Sequence, residues 1–169
     1  MTPSELARLY DAHASGLFAF LLNFTRDESC TADLLQELFL RLVQRPGLMS
    51  GVRDERAFLF RLAHNLAVDA IRRLDVRRRT HSALAAESLE LFAENPDADG
   101  PEVRRQIALA LGELPSEQRA VVHLKVWEGL TFDAIAELLE IPLNTAASRY
   151  RYALVKLRER LRPLCEETP

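Results

Sequence analysis

Large apolar residues recur at three- and four-residue spacing along this chain, which is how a helix with one buried face writes itself into sequence. The first run opens at Thr2-Pro3-Ser4-Glu5. There Thr2 suits an N-cap, Pro3 the first turn and Glu5 a capping box. Leu6, Leu9, Tyr10, His13, Leu17, Phe20, Leu21 and Phe24 then keep a helical period. His13 shares that apolar face, and no second ligand is spaced to join it, so it reads as a packed histidine. After a polar connector at 23–29, a second helix over 29–44 buries Leu34, Leu35, Leu38, Phe39 and Leu42. Its other face carries Asp33, Gln36, Glu37 and Arg41, with Glu37 and Arg41 at ion-pair spacing. That face reads either as a solvated surface or as a docking surface for another protein.

The stretch 45–53 (RPGLMSGVR) holds a proline, two glycines and an exposed-looking Leu48-Met49, and reads as a loop held between helices. Asp54 caps a third helix expected to reach Arg72 and run on toward Arg78. Its apolar stripe is Phe58, Leu59, Leu62, Ala63, Leu66 and Leu74. Arg61, Asn65 and Arg72 share the opposite side, flanked by His64, and the helix ends among arginines. Cations suit a helix C-terminus for structural reasons alone. Asparagine in mid-helix competes with the backbone for hydrogen bonds and is less easily explained. Arginine, histidine and asparagine beside an apolar loop suit phosphates and an unstacked base.

From Thr80 to Gly100 the pattern lapses. Glu87, Glu90, Glu94, Asp97 and Asp99 are acidic, and Asn95-Pro96 and Gly100-Pro101 break structure. A flexible acidic tether is expected, with one anchoring turn at Leu89, Leu91 and Phe92. Helical periodicity resumes over 101–113 and again over 115–127, where Trp127 is expected to be a core anchor. Thr131 then caps a short helix carrying Ile135, Leu138 and Leu139, which stops at Ile141-Pro142. A last helix begins near 142–144, with Tyr150, Leu154, Leu157 and Leu161 on one side. Asn144, Thr145, Ala147, Ser148, Arg149, Arg151 and Tyr152 stand on the other. Two helices around a tight turn, the second opening with small, polar and basic residues, suit a helix-turn-helix reader of the major groove. A helical hairpin with a solvated basic face fits the same periodicity. The residues after Pro163 read as a frayed acidic tail.

Composition sharpens this. Forty-eight per cent of the 169 residues are hydrophobic and only six are glycine, which favours an all-α fold. A formal net charge of −3 is unlike an autonomous DNA binder, because phosphate neutralisation supplies most nonspecific affinity. Cys30 and Cys165 match no zinc spacing and read as free thiols of a reducing compartment. There is no signal-like N-terminus and no apolar run able to span a bilayer, so a cytoplasmic protein is expected. No phosphate loop, H-E-x-x-H or nucleophile elbow occurs, so neither enzyme activity nor a cofactor or metal is expected. His64, His81 and His123 have no carboxylate or nucleophile at catalytic sequence spacing.

Taken together, the segments ADLLQELFLRLV (32–43), RAFLFRLAHNLAVDAIRR (56–73) and LPSEQRAVVHLKVWEGLTFDAIAELLEIPLNTAASRYRYALVKLRERL (114–161) resemble bacterial RNA polymerase sigma factors of the extracytoplasmic-function (ECF) group. The resemblance covers nearly the whole chain. It implies two small helical domains, 1–79 and 101–163, a linker at 80–100 and a tail at 164–169. The first domain would bind the polymerase core through Asp33, Gln36, Glu37 and Arg41. It would open and read the minus-ten element through Arg61, Asn65, Arg72 and Arg73, with loop 45–53 capturing a base. Ala63-His64-Asn65 stands where the family has Ala-Arg-Asn, and Asn65 would help hold the flipped base.

In the second domain Asn144, Thr145, Ala147, Ser148, Arg149 and Arg151 would face the minus-thirty-five element. The segment NTAASR replaces the family's usual Gly-Thr-Val-Lys-Ser-Arg, so Ala147 loses a cation while keeping a methyl suited to thymine. Core RNA polymerase and promoter DNA are the implied partners, and an anti-sigma factor is a further one. In the implied mechanism core polymerase fixes the separation of two weak readers, which makes the second contact effectively intramolecular. An autonomous helix-turn-helix regulator is the alternative. It leaves segments 32–43 and 56–73 without a role. A helical scaffold with no nucleic-acid role is the third possibility.

Overall fold

Each run of large apolar residues ends where a residue caps or turns the backbone, and the computed structural model, which describes residues 2–78 and 101–166, follows those signals. Helix α1 spans Pro3–Thr25, α2 Glu28–Gln44 and α3 Glu55–Arg78. After the linker come α4 (Pro101–Gly112), α5 (Ser116–Val126), α6 (Phe132–Leu139) and α7 (Leu143–Glu166). No strand occurs among the described residues, and the fold is all-α. The chain divides into two compact units, one carrying α1–α3 and one carrying α4–α7. The tether at 80–100, its anchoring turn at Leu89, Leu91 and Phe92, and residues 167–169 lie outside the described residues.

In the first unit the capping box at Thr2 is formed. The Glu5 amide donates to the Thr2 hydroxyl at 3.2 Å and the Thr2 amide donates to the Glu5 carboxylate at 2.6 Å. Hydrogen bonding to Thr2, its backbone N–H first and then its side chain, holds the Glu5 carboxyl below the usual carboxylate range. The connector is shorter than the sequence implies. Asn23 lies inside α1, buried, its amide nitrogen donating to the Ala19 carbonyl at 3.3 Å. The turn falls on Arg26, left-handed at φ 52°, and Asp27 caps α2 by accepting from the Cys30 amide at 2.6 Å. Burial raises the Cys30 thiol, and Asp27 and Asp33 add to the shift.

The core joins Leu9, Leu17, Phe20 and Leu21 to Leu38 and Leu42 of α2 and to Leu59, Phe60 and Ala63 of α3. Phe60 is buried where periodicity favoured Phe58, which stays half-buried. The Phe20 ring meets Phe24 and Phe60 edge-on, each at 5.3 Å, and Phe24 meets His64 at 5.7 Å. Such pairings add to what burial alone contributes. Asp54 accepts from the Ala57 amide at 2.9 Å as the cap of α3. Nearby, Arg8 of α1 makes two bonds to Glu55, at 2.7 and 3.0 Å.

In the second unit the α4–α5 turn closes around a buried arginine that sequence patterning did not single out. The Nη1 of Arg119 donates to the carbonyls of Gly112 at 2.9 Å and Leu114 at 3.0 Å, satisfying the end of α4. Trp127 is 40% exposed and is not the expected core anchor. It stacks on His123, centroids 5.6 Å apart, and His123 and Leu124 take the interior. A backbone bond from Leu130 to the Leu124 carbonyl (3.0 Å) and a left-handed Gly129 (φ 63°) turn the chain into α6. Thr131 caps α6, accepting from the Ala134 amide at 3.2 Å. At the other end Glu140, left-handed at φ 55°, stops α6 before the proline-adjacent Ile141.

Helix α7 buries alanines rather than the expected leucine row. Ala146 and Ala153 are fully buried, Leu157 and Leu161 are half-buried and Leu154 is exposed. Ala153 packs with Leu111, Leu114 and Val122. The helix also continues through Pro163 to Glu166, where the sequence suggested a frayed tail.

Candidate polymerase and nucleic-acid interfaces

Three helix faces carry the residues singled out by sequence. On α2, Asp33 and Gln36 are exposed, while Glu37 and Arg41 are partly buried and joined at 2.6 Å one turn apart. Beside them stand Leu40, 48% exposed, and Val43, 50% exposed. A rotation of about 100° per residue puts Leu40 between Gln36 and Asp33, and Val43 just beyond Gln36. Tyr10 of α1 is also exposed, its ring 5.0 Å from that of Phe39. The surface is therefore an apolar strip edged by charge. The sequence did carry a signal for it: Leu40 breaks the polar side of an otherwise regular helix.

On α3, Asn65, Arg72 and Arg73 are exposed and Arg61 is half-buried. Positions 61, 65 and 72 fall on one stripe of a continuous helix, with Arg73 beside it. His64 does not join them; its ring faces Phe24, and the aromatic cluster fixes that side of α3 to α1. Loop 45–53 is more ordered than expected. Residues Pro46–Met49 form a 3-10 turn, held by bonds from Leu48 to the Arg45 carbonyl (2.9 Å) and from Ser50 to the Gly47 carbonyl (3.0 Å). Leu48 and Met49 are half-buried, and Arg45, Pro46, Gly47 and Ser50 form the exposed rim.

On α7, Asn144 and Arg151 are exposed, and Thr145, Ala147, Ser148 and Arg149 are half-buried. Asn144, Ser148 and Arg151 share a stripe, whereas Arg149 stands about 140° round from Asn144, beside the buried alanines of α7. The Ser148 hydroxyl donates back to the Thr145 carbonyl at 3.0 Å, which leaves its oxygen lone pairs as acceptors. The Arg149 Nη2 lies 2.8 Å from Glu117 Oε2 on α5. The Arg151 guanidinium lies over the Tyr152 ring at 5.3 Å. Below this face, Phe132 meets Tyr150 edge-on at 5.4 Å, and Lys125 sits over Phe132 at 4.9 Å while donating to the Leu130 carbonyl at 3.0 Å. Rings and a cation thus lock α5, α6 and α7 at fixed angles behind this face of α7.

The fold does bring a carboxylate to His123, which the sequence had not indicated: Glu128 lies 3.4 Å away. Both side chains are buried, so the pair braces the α5–α6 turn. Among the described residues no group of histidine, cysteine and carboxylate side chains could hold a metal ion, and no helix is long and apolar enough to cross a membrane.

Residues 9–79 match the family model described as Sigma-70 region 2, and residues 104–157 match the one described as Sigma-70, region 4. Over 158 residues the chain is 34% identical to the ECF RNA polymerase sigma factor SigL of Mycobacterium tuberculosis, spanning 92% of this chain and 88% of that protein. This chain belongs to the ECF sigma factors of the sigma-70 family. It is also similar to the ECF sigma factor SigX of Bacillus subtilis, 27% identical over 164 residues, covering 94% of this chain and 84% of that one. The sigma factor RpoE, solved in complex with the anti-sigma factor NepR from Bartonella quintana, has the same fold. Its TM-score is 0.75 at 21% identity, covering 94% of this chain and 95% of that chain. As a sigma factor the protein serves promoter-directed initiation by RNA polymerase.

Proposed function

We propose that α2 docks on core RNA polymerase, that α3 with loop 45–53 opens and reads the minus-ten element, and that α7 reads the minus-thirty-five element. The observation that carries this is the stripe of Arg61, Asn65 and Arg72 on a helix whose adjoining side is fixed by aromatic packing. A rigid stripe of two cations around an amide suits a base leaving the stack, the arginines holding backbone and the amide bonding a base edge. Asp33, Gln36, Glu37 and Arg41 then border the Leu40–Val43 strip at the polymerase, since apolar contact with a charged rim is the usual anatomy of a protein interface. Asn144, Thr145, Ala147, Ser148, Arg149 and Arg151 meet the upstream duplex, and Arg73 joins Arg72 on the downstream backbone. The chain supplies recognition and strand capture while the polymerase makes bonds. It works in the cytoplasm beside that enzyme, and an anti-sigma factor is a further partner, in keeping with the RpoE–NepR complex.

Run-off transcription with purified core polymerase tests the assignment. Asn65→Ala is expected to slow promoter opening about tenfold, the scale of one lost base contact, while closed-complex binding holds, whereas Glu37→Lys weakens core binding with the fold intact. Equal loss of opening and closed-complex binding in Asn65→Ala removes Asn65 from base capture. Tight recognition of a duplex by the chain without core would instead favour an autonomous regulator.

A further inference from the structure

The polar face of α7 carries one large exposed ring. Tyr152 is 56% exposed, and the Arg151 guanidinium lies over it, 5.3 Å from the ring centroid. Neighbouring residues of a helix diverge by about 100°, so such a pair meets only when the longer side chain turns aside toward the ring. Ser148 stands one turn nearer the helix start, about 60° round from Arg151 and about 40° from Tyr152, between the two. The ring therefore draws the cation toward the middle of the Asn144–Ser148 face and away from the exposed Leu154. We propose that Tyr152 is a positioning residue for Arg151: its ring holds the guanidinium in line with Ser148, where it meets a backbone phosphate of the upstream duplex. This rests on α7 being the reader of the upstream element.

Charge and place point to backbone rather than to a base. Arg151 stands about two turns into α7, past the N-terminal residues with which a recognition helix reaches base edges. Three and four residues away on its own helix are Ala147, Ser148, Leu154 and Val155, so no carboxylate of α7 stands beside it. Arg149 and Arg160 are arranged differently. They are ion-paired to Glu117 at 2.8 Å and Glu113 at 2.9 Å, which braces α7 against the rest of its unit. An aromatic ring attracts a cation through its quadrupole and leaves the net charge in place. A guanidinium with one face on a ring also keeps its N–H donors, which lie around the edge of the plane. An arginine already held in this way loses less rotamer freedom when it reaches a phosphate. The ring thus raises affinity for duplex of any sequence, because phosphate contacts carry no base information.

The test uses holoenzyme reconstituted from core polymerase and the full chain. The probes are a duplex selected by that holoenzyme from a pool randomised over the upstream element, and the same duplex with that element scrambled. Binding to both is followed over a range of salt. Tyr152→Leu, which keeps apolar bulk and helix propensity, is expected to weaken binding to both duplexes about threefold, the scale of an exposed cation–π contact. Tyr152→Phe keeps the ring and binds as wild type. Arg151→Ala flattens the salt dependence by about 0.9 in log–log slope, the loss of one phosphate contact, and retains the preference between duplexes. In the Arg151→Ala background Tyr152→Leu has no further effect, because the ring acts through the cation. A loss that persists in that background, or an equal loss in Tyr152→Phe, gives Tyr152 a contact of its own and overturns the proposal. Lost preference in Arg151→Ala puts the guanidinium on a base and overturns the backbone assignment. If Tyr152→Leu binds as wild type while Arg151→Ala flattens the slope, the proposal for Tyr152 is wrong and the reading of α7 stands. If Arg151→Ala changes neither affinity nor slope, Arg151 meets no phosphate and both fall together.

Discussion

The two helices proposed to read DNA, α3 and α7, are built on opposite foundations. Helix α3 rests on large aromatic side chains, with Phe60 and His64 wedged among Phe20 and Phe24. Helix α7 rests on alanines, with Ala146 and Ala153 letting it lie close to its neighbours. The difference suits two kinds of contact. Capturing an extruded base calls for a helix that does not yield while a duplex is pulled apart, and interlocked rings resist displacement. Reading an intact duplex calls for a protruding helix at a set angle, which small residues permit by close approach on the buried side. The polar surroundings differ as well. The α3 stripe exposes Asn65 and Arg72 directly, whereas on α7 Arg149 is joined to Glu117 and Arg151 lies over Tyr152.

If that contrast is right, damage should respect it. Phe20→Ala should have the largest effect, destabilising the first unit by about 3–5 kcal/mol, the usual cost of emptying a buried aromatic site. Trp127 is the only tryptophan and belongs to the second unit, so in urea its fluorescence should report an unchanged transition while circular dichroism shows an earlier loss of helix. Coincident shifts in both signals would mean that the units do not unfold separately. Ala153→Leu attacks the other foundation. It forces a larger side chain among Leu111, Leu114 and Val122, and about 1–3 kcal/mol of overpacking is expected in the second unit alone. Here the fluorescence transition should move and the remaining helical signal should not. An unchanged fluorescence midpoint would show that α7 has room to shift.

The smallest effect concerns the Arg8–Glu55 pair between α1 and the start of α3. The Arg8 guanidinium holds the Glu55 carboxyl below the usual carboxylate range, first through its hydrogen bonds and then through its charge. A carboxyl lowered in the folded state stabilises above its unfolded pKa, and the stabilisation is lost as pH falls through the folded value. Arg8→Ala should therefore lower the thermal midpoint slightly at neutral pH, given how exposed the pair is, and the deficit should fade in acid. A deficit that persists when Glu55 is protonated would assign the effect to lost packing of the arginine stem.

What was legible in the sequence was local. Helices were legible because a 3.6-residue period and capping chemistry are written in neighbouring residues: Thr2, Asp54 and Thr131 cap where their side chains imply. The Glu37–Arg41 pair was legible for the same reason. The all-α class and sigma-factor membership were legible in the ordered pair of segments, 56–73 and 114–161, and the matches to regions 2 and 4 agree with them. The choice of Phe60 over Phe58, the exposure of Trp127 and Leu154, and the alanine floor of α7 were not. Amphipathic spacing names a face but not the depth to which each residue sinks, which depends on the helix packed opposite. Glu117 beside Arg149 was likewise beyond reach, because electrostatic partners on separate elements meet only after packing fixes where those elements lie, and Glu128 meets His123 only once the chain turns back at the end of α5. Sequence alone determined which helices form and which side chains are able to form hydrogen bonds and ion pairs. Tertiary structure decided which charges remain available to do so, because a charge is cancelled or left open by neighbours in space.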